Sequence, residues 1–189
     1  GVYDKNREFF TTISPSMDIL ISSNLERLLY SMSGSENVRS WMKALAETGK
    51  YEVDAATLEA IKADFAAGCC NDDETKATIA EVFKSKDYLC DTHTAVAVKV
   101  YNDYKASTGD ATPVVIASTA SPFKFSAAVL EAVDGKNDLD EFEMVEKLAA
   151  VTKKSCPEQL ANLRDKAVRF EGCCSKDSME QVVFDMLGV

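Results

Sequence analysis

Thr119 closes the run Pro113-Val114-Val115-Ile116-Ala117-Ser118-Thr119, and Ser121-Pro122-Phe123-Lys124-Phe125 follows directly. Four apolar residues in succession, three of them β-branched, predict a strand buried on both faces, the habit of a parallel sheet covered by helices. Ser121 and Pro122 then supply a capping hydroxyl and a first-turn proline, so a helix starts where the strand ends. In open α/β sheets ligands bind in the crevice outside the carboxyl ends of the strands. The Thr119 hydroxyl is therefore a candidate ligand contact; the alternative is that small residues simply make a tight strand-to-helix turn. Lys124, two residues past Pro122, brings an ammonium to the same end.

Other groups with reactive chemistry are sparse. His93 is the sole histidine, and no partner for general-base work is identifiable from spacing, which leaves a hydrogen-bonded structural role as the alternative. Asp72, Asp73 and Glu74 crowd a helix start, where negative charge favours the positive end of the helix dipole without any catalytic or metal site. The six cysteines fall as adjacent pairs, Cys69-Cys70 and Cys173-Cys174, with Cys90 and Cys156 single. No C-x-x-C spacing is present, so no metal centre is expected, and reduced thiols in a cytoplasmic protein are the reading. The eight glycines stand apart, so no glycine-rich phosphate cradle is formed.

The elements that position these groups are mainly helices. Ser23 and Glu26 have capping-box spacing, and Leu25, Leu28, Leu29 and Met32 follow at i, i+3, i+4 and i+7, predicting a helix that ends near Gly34. Met17 to Ile21 ahead of it reads as a buried strand or connector. A second helix is expected from Ser35 to Glu47, stopped by Gly49. Tyr51-Glu52-Val53 is a minimal extended piece, and Asp54 caps a helix that turns Leu58, Ile61 and Phe65 inward until Gly68. Asn71 and Glu74 repeat the capping box, with Ile79, Val82 and Phe83 as the buried stripe. Tyr88-Leu89-Cys90 is short and strand-like, and the helix after Asp91-Thr92-His93 is apolar on most sides at Ala95 to Val98. Strand, polar turn and buried helix thus occur twice, at residues 88–105 and 113–134, which is α/β layering. Beyond Gly135 the chain becomes acidic and helical, with Phe142, Val145 and Leu148 on one face, then Leu160, Leu163, Ala167 and Phe170, then a last helix capped by Ser175.

With 189 residues and 46% hydrophobic content, the chain is long enough to bury roughly 70% of its unfolded surface. Lys and Arg number 21 against 31 Asp and Glu, a net charge of −10 without a basic stripe, so nucleic acid and anionic membrane are poor partners. No apolar run reaches the length of a transmembrane helix. Gly1, with no Met before it, suggests a piece of something longer.

Four stretches carry a resemblance: Ser14-Pro15-Ser16-Met17-Asp18-Ile19-Leu20-Ile21-Ser22-Ser23-Asn24-Leu25-Glu26-Arg27, Asp72-Asp73-Glu74-Thr75, His93-Thr94-Ala95-Val96 and Ser118-Thr119-Ala120-Ser121-Pro122-Phe123-Lys124-Phe125. In order and approximate spacing they resemble threonine synthase, clearly over residues 3–134 and in general character beyond. The resemblance implies a pyridoxal-phosphate enzyme of the tryptophan synthase β-chain type that converts O-phospho-L-homoserine and water to L-threonine and phosphate. It also implies that this chain is the C-terminal part, the Schiff-base lysine and the cofactor-phosphate loop lying upstream. No catalytic residue is then expected within the chain, and alone it is expected to be inactive and to bind no cofactor. Thr119 takes the role of hydrogen-bonding the pyridine nitrogen. Asn24, Arg27 and Lys124 fall in family motifs and are candidates for the substrate's phosphate or carboxylate, with surface ion pairing as the alternative. Thr92 stands where the family commonly has proline.

The expected fold is α/β and helix-rich: few short, mostly parallel strands packed by helices, then an all-helical tail. Residues 1–135 would be the C-terminal part of the cofactor domain and 136–189 a helical extension. The expected partners are O-phospho-L-homoserine in the parent enzyme, the missing N-terminal half, and a second copy through the apolar face that half would cover. Two other functions fit the residues: part of a different pyridoxal-phosphate lyase or dehydratase, and a cofactor-free helical interaction module.

Overall fold

A computed structural model describes all residues, Gly1–Val189. They form two compact units, Gly1–Pro157 and Glu158–Val189. In the larger unit the order is β1 (Val2–Asp4), α1 (Ser23–Thr48), β2 (Lys50–Glu52), α2 (Ala55–Asp64), α3 (Asp72–Lys86), α4 (Thr92–Thr108), α5 (Ser126–Asp134) and α6 (Glu141–Thr152). Single 3-10 turns at Pro15–Met17 and Pro122–Phe125 punctuate it.

Local chemistry explains the helix ends. The Ser22 hydroxyl caps α1 by accepting from the Leu25 N–H, one residue earlier than the Ser23 box predicts. Gly34 takes φ 81, ψ 175 and breaks the helical path within α1, so the two expected helices are two arms joined at a glycine. Gly49 closes the second arm at φ 83, a left-handed conformation that glycine adopts without a Cβ penalty. Asp54 caps α2, and Asn71 with Glu74 makes the full reciprocal capping box on α3.

One core gathers where α1, α2 and the small sheet meet. Leu29, Val38, Leu45, Tyr51 and Val53 are buried, with Trp41, Leu58 and Ile61 packed against them. Tyr51 stacks on Tyr3 at 5.0 Å and on Trp41 at 6.2 Å, and burial pushes its phenol up to about 12. Farther along, α3 packs on α4 and α5, and α5 on α6, burying Ile79, Ala95, Val129, Leu130 and Leu148 almost completely. Lys76 on α3 reaches Glu131 on α5 at 3.1 Å, tying those helices at their rim.

The helix-rich class with few short strands stands; several finer expectations do not. The only ladder is antiparallel, β1 on β2 with Tyr3 opposite Tyr51, and not parallel. The run Val114–Ala117 forms no strand, and Val115 is 94% exposed. A strand buried on both faces needs neighbours to satisfy its row of N–H and C=O groups, and this chain's other strands pair only with each other. Tyr88–Cys90 likewise lacks a ladder, although Leu89 and Cys90 are buried. Met17–Ile21 is a turn and irregular chain with exposed Ile19 and Ile21, and Phe65 lies just past α2 and points outward.

The smaller unit holds α7 (Glu158–Ala161), a 3-10 turn at Lys176–Ser178 and α8 (Met179–Leu187). The stripe expected through Leu163, Ala167 and Phe170 is not helical, and Phe170 is exposed. Arg164, Asp165 and Lys166 fall between those apolar positions, and a stripe of so few apolar residues gives a short helix little of the packing that sustains it.

Candidate functional site

The most heavily bonded corner of the larger unit is the start of α4. Asp91 is the N-cap and its side chain is wholly buried. Its carboxylate accepts from the His93 N–H at 2.9 Å and the Thr94 N–H at 3.4 Å, and from the Thr94 hydroxyl. The His93 ring lies 3.2 Å away through Nδ1. On its far side Nε2 accepts from the backbone N–H of Ser16 at 3.1 Å. With Nε2 an acceptor, the ring proton sits on Nδ1 and donates to Asp91. Phe125 covers the ring at a centroid distance of 4.8 Å. His93 is thereby engaged at both nitrogens and holds the Pro15–Met17 turn against α4. Thr92 is the first residue of that helix, the position where proline's fixed φ and missing N–H are tolerated, so threonine and proline serve the same backbone there.

A second arm of the network runs to the residue before Thr119. Each hydroxyl has one proton to give. Thr94 gives its proton to Asp91, so its 3.1 Å contact with Ser118 takes the proton of the Ser118 hydroxyl. Tyr88 in turn donates to the Ser118 oxygen at 3.0 Å. A directed chain, Tyr88 to Ser118 to Thr94 to Asp91, thus ends on the buried carboxylate. Thr119 itself is exposed. Ser121 caps the turn that follows, accepting from the Phe123 N–H at 3.3 Å. Cys90, beside Asp91, is 1% exposed and its thiol is pushed up to about 11, chiefly by burial, which keeps it protonated and inert.

The other predicted residues are placed apart from this corner. Asn24 and Arg27 lie exposed on the first turns of α1, and the Arg27 guanidinium donates to the Asn24 side-chain oxygen. Lys124 is exposed with its ammonium 5.7 Å from the Phe125 ring centre, within cation–π range. The acidic cluster is structural at two of its three members. Asp72 accepts from the Ile13 N–H at 3.1 Å, and Glu74 completes the capping box. No group of three or more His, Cys, Asp or Glu residues is arranged to hold a metal.

Residue type alone does not single out Asp91, Thr94, Ser118 or Tyr88. The available signal was the string Asp91-Thr92-His93-Thr94, in which a capping acid is followed three residues later by a second side chain able to bond it. Nothing local in the sequence pairs Thr94 with Ser118, twenty-four residues on. A cavity of about 620 Å³ opens elsewhere in the same unit, between Phe9, Phe10, Met17, Ile19, Cys70 and Asp72. Beside it the Ser14 hydroxyl is buried without a partner.

Residues 94–183 match the family described as threonine synthase, C-terminal. The chain is 36% identical over 151 residues to the threonine synthase of Saccharomyces cerevisiae, covering 71% of this chain and 29% of that one. The crystal structure of threonine synthase from yeast superposes with a TM-score of 0.79 at 28% identity, covering all of this chain and 38% of the other. The structure of pyridoxal-phosphate-bound threonine synthase from Brucella melitensis gives a TM-score of 0.71 at 35% identity, covering 90% of this chain and 32% of the other. The chain therefore spans about a third of the length of the solved structures it matches.

Proposed function

Since the chain belongs with the C-terminal part of the threonine synthases, we propose that it supplies one wall of the active site of a pyridoxal-phosphate lyase that converts O-phospho-L-homoserine and water to L-threonine and phosphate. The observation that carries this reading is the agreement of sequence and fold with relatives of that name, 36% identity with the yeast enzyme and a TM-score of 0.71 with the cofactor-bound one. The donor set at the Ser118–Thr119 corner suits the cofactor's pyridine ring. Thr119 offers a neutral, exposed hydroxyl, and the acid tied to that corner, Asp91, is buried and committed to His93 and Thr94. A hydroxyl at the ring nitrogen leaves it unprotonated, where a carboxylate would hold a proton on it.

Bound pyridoxal phosphate supplies the electron sink for breaking bonds around the substrate's amino-bearing carbon. The residues of this chain bind and orient around it. The guanidinium of Arg27, steadied by Asn24, presents a planar fork suited to a phosphate or carboxylate. The Lys124 ammonium offers a point charge for the same anions. The Schiff-base lysine and the phosphate loop belong to the larger part of the enzyme, so this chain alone is inactive and binds no cofactor. That larger part is its partner in our reading. Without it, exposed Phe9, Phe10, Ile19 and Ile21 promote self-association. A reducing, cytoplasmic setting suits six cysteines that form no disulfide.

The test is to express the longer protein that contains this chain and assay phosphate release and threonine formation from O-phospho-L-homoserine. Both products, dependent on added pyridoxal phosphate, support the reading. A visible cofactor band with no turnover of this substrate would assign a different lyase. No band at all would assign a cofactor-free interaction module.

A further inference from the structure

The Asp91 network does more than cap a helix. A cap needs only the N–H groups of His93 and Thr94, and both are already bonded to Asp91 Oδ1. The second oxygen, Oδ2, is left to the Thr94 hydroxyl, and through it to Ser118, the residue before Thr119. The same carboxylate orients His93, whose far nitrogen holds the backbone of Ser16 seventy-seven residues away in sequence. Meanwhile Pro113–Thr119 has no ladder and no secondary structure of its own. The bonds of the Ser118 hydroxyl to Tyr88 and Thr94 are thus what ties the end of this segment to α4.

We infer that Asp91 is a positioning residue. Through Thr94 and Ser118 it sets where the Thr119 hydroxyl points, and through His93 it sets the Pro15–Met17 turn, so one buried charge registers two distant loops to a common helix end. The functional half of this inference rests on the proposed contact of Thr119 with the cofactor ring; the positional half does not. Residues at the network's end then behave differently from ordinary caps. Removing the Ser118 hydroxyl leaves α4 capped and the core untouched, yet frees Thr119.

The experiment compares Ser118→Ala, Ser118→Thr and Thr94→Val by backbone ¹⁵N relaxation at residues 116–121, in the 189-residue chain, with the melting temperature read alongside. Ser118→Ala is the safer variant, because the side chain is exposed and Asp91 keeps all its own donors. The expected result is a fall in the order parameters of Ser118 and Thr119 from near the rigid value of about 0.85 toward the flexible range below about 0.6. Ser118→Thr, which restores a hydroxyl, should recover them. Unchanged order parameters in Ser118→Ala overturn the inference, and so does a fall in Thr94→Val that Ser118→Ala does not share. A second arm measures the visible cofactor band of the longer enzyme in Ser118→Ala and Thr119→Ala. If Thr119→Ala leaves the band unmoved, the reading of Thr119 as a ring contact fails while the relaxation result still decides the positioning. If Thr119→Ala shifts the band and Ser118→Ala does not, Ser118 does not position it and the inference falls.

Discussion

His93→Phe separates a structural histidine from a catalytic one. Phenylalanine keeps a planar ring against Phe125, now 4.8 Å from the imidazole centre, so packing is largely preserved while both ring hydrogen bonds disappear. The Ser16 N–H is in an exposed bond, which water replaces at a cost of about 0.5 to 1 kcal/mol. The bond to Asp91 is worth more, because a wholly buried carboxylate loses one of its donors: about 1.5 to 3 kcal/mol for a charge-assisted bond. Asp91 retains the His93 N–H and both Thr94 donors, so the larger penalty of an isolated buried charge does not arise. The sum is about 2 to 4 kcal/mol. For a chain of this size each kcal/mol moves the melting temperature by about 2 to 4 °C, so a drop of about 5 to 15 °C is expected by circular dichroism. A cycle with Asp91→Asn should return a coupling of at least about 0.5 kcal/mol. A loss under about 0.5 kcal/mol, or additivity with Asp91→Asn, would refute the structural assignment, and activity of the longer enzyme lost in His93→Phe at an unchanged melting temperature would restore His93 as a base.

Three further outcomes are expected. Titrated with pyridoxal phosphate, the chain alone should show no shifted visible band and no lysine adduct on borohydride reduction. One hydrogen bond from Thr119 contributes about 0.5 to 1.5 kcal/mol where micromolar binding takes about 8, and stoichiometric reduction onto one of its own lysines would return the cofactor site to these residues. In the longer enzyme Lys124→Ala should raise KM or lower turnover with the cofactor spectrum intact; unfolding without any kinetic change in the surviving enzyme would make Lys124 structural. Asp54, whose carboxylate is held below its ordinary value chiefly by the Thr57 N–H, contributes stability that is present above its unfolded pKa and lost as pH falls through the folded one. The melting temperatures of the wild type and Asp54→Ala should thus differ at neutral pH and converge in acid, and a constant gap across the range would contradict the cap.

What the sequence disclosed was local. Asn71 with Glu74, Asp54 and Gly49 announce their roles within a few residues, because a cap is satisfied by its own helix, and all three are found in place. The four motif stretches pointed to the right relatives for the same reason: they can be recognised one at a time. What depends on partners distant in the chain is not legible in this way. Val114–Ala117 has every intrinsic mark of a buried strand, but a strand is made by its neighbours, and none is supplied within this chain. Leu160 to Phe170 has an apolar rhythm but too few large apolar residues to sustain a helix by packing. The Tyr88–Ser118–Thr94–Asp91 chain joins residues 88–94 to Ser118 through side chains of ordinary type, so spacing alone has no means to reveal it.

The stretch from Pro113 to Ala117, which joins no ladder, also has a consequence for how the chain is taken apart. It is solvated, irregular and free of prolines after Pro113, the kind of backbone a protease accepts, whereas the helices on either side are closed to it. A single nick there would leave the piece carrying α3 and α4 and the piece carrying α5 and α6 clasped together, since α3 packs directly on α5 and Lys76 grips Glu131 across the join. The nicked molecule would run as one body under native conditions and part into two bands only in denaturant, a break in the covalent thread that the tertiary structure conceals.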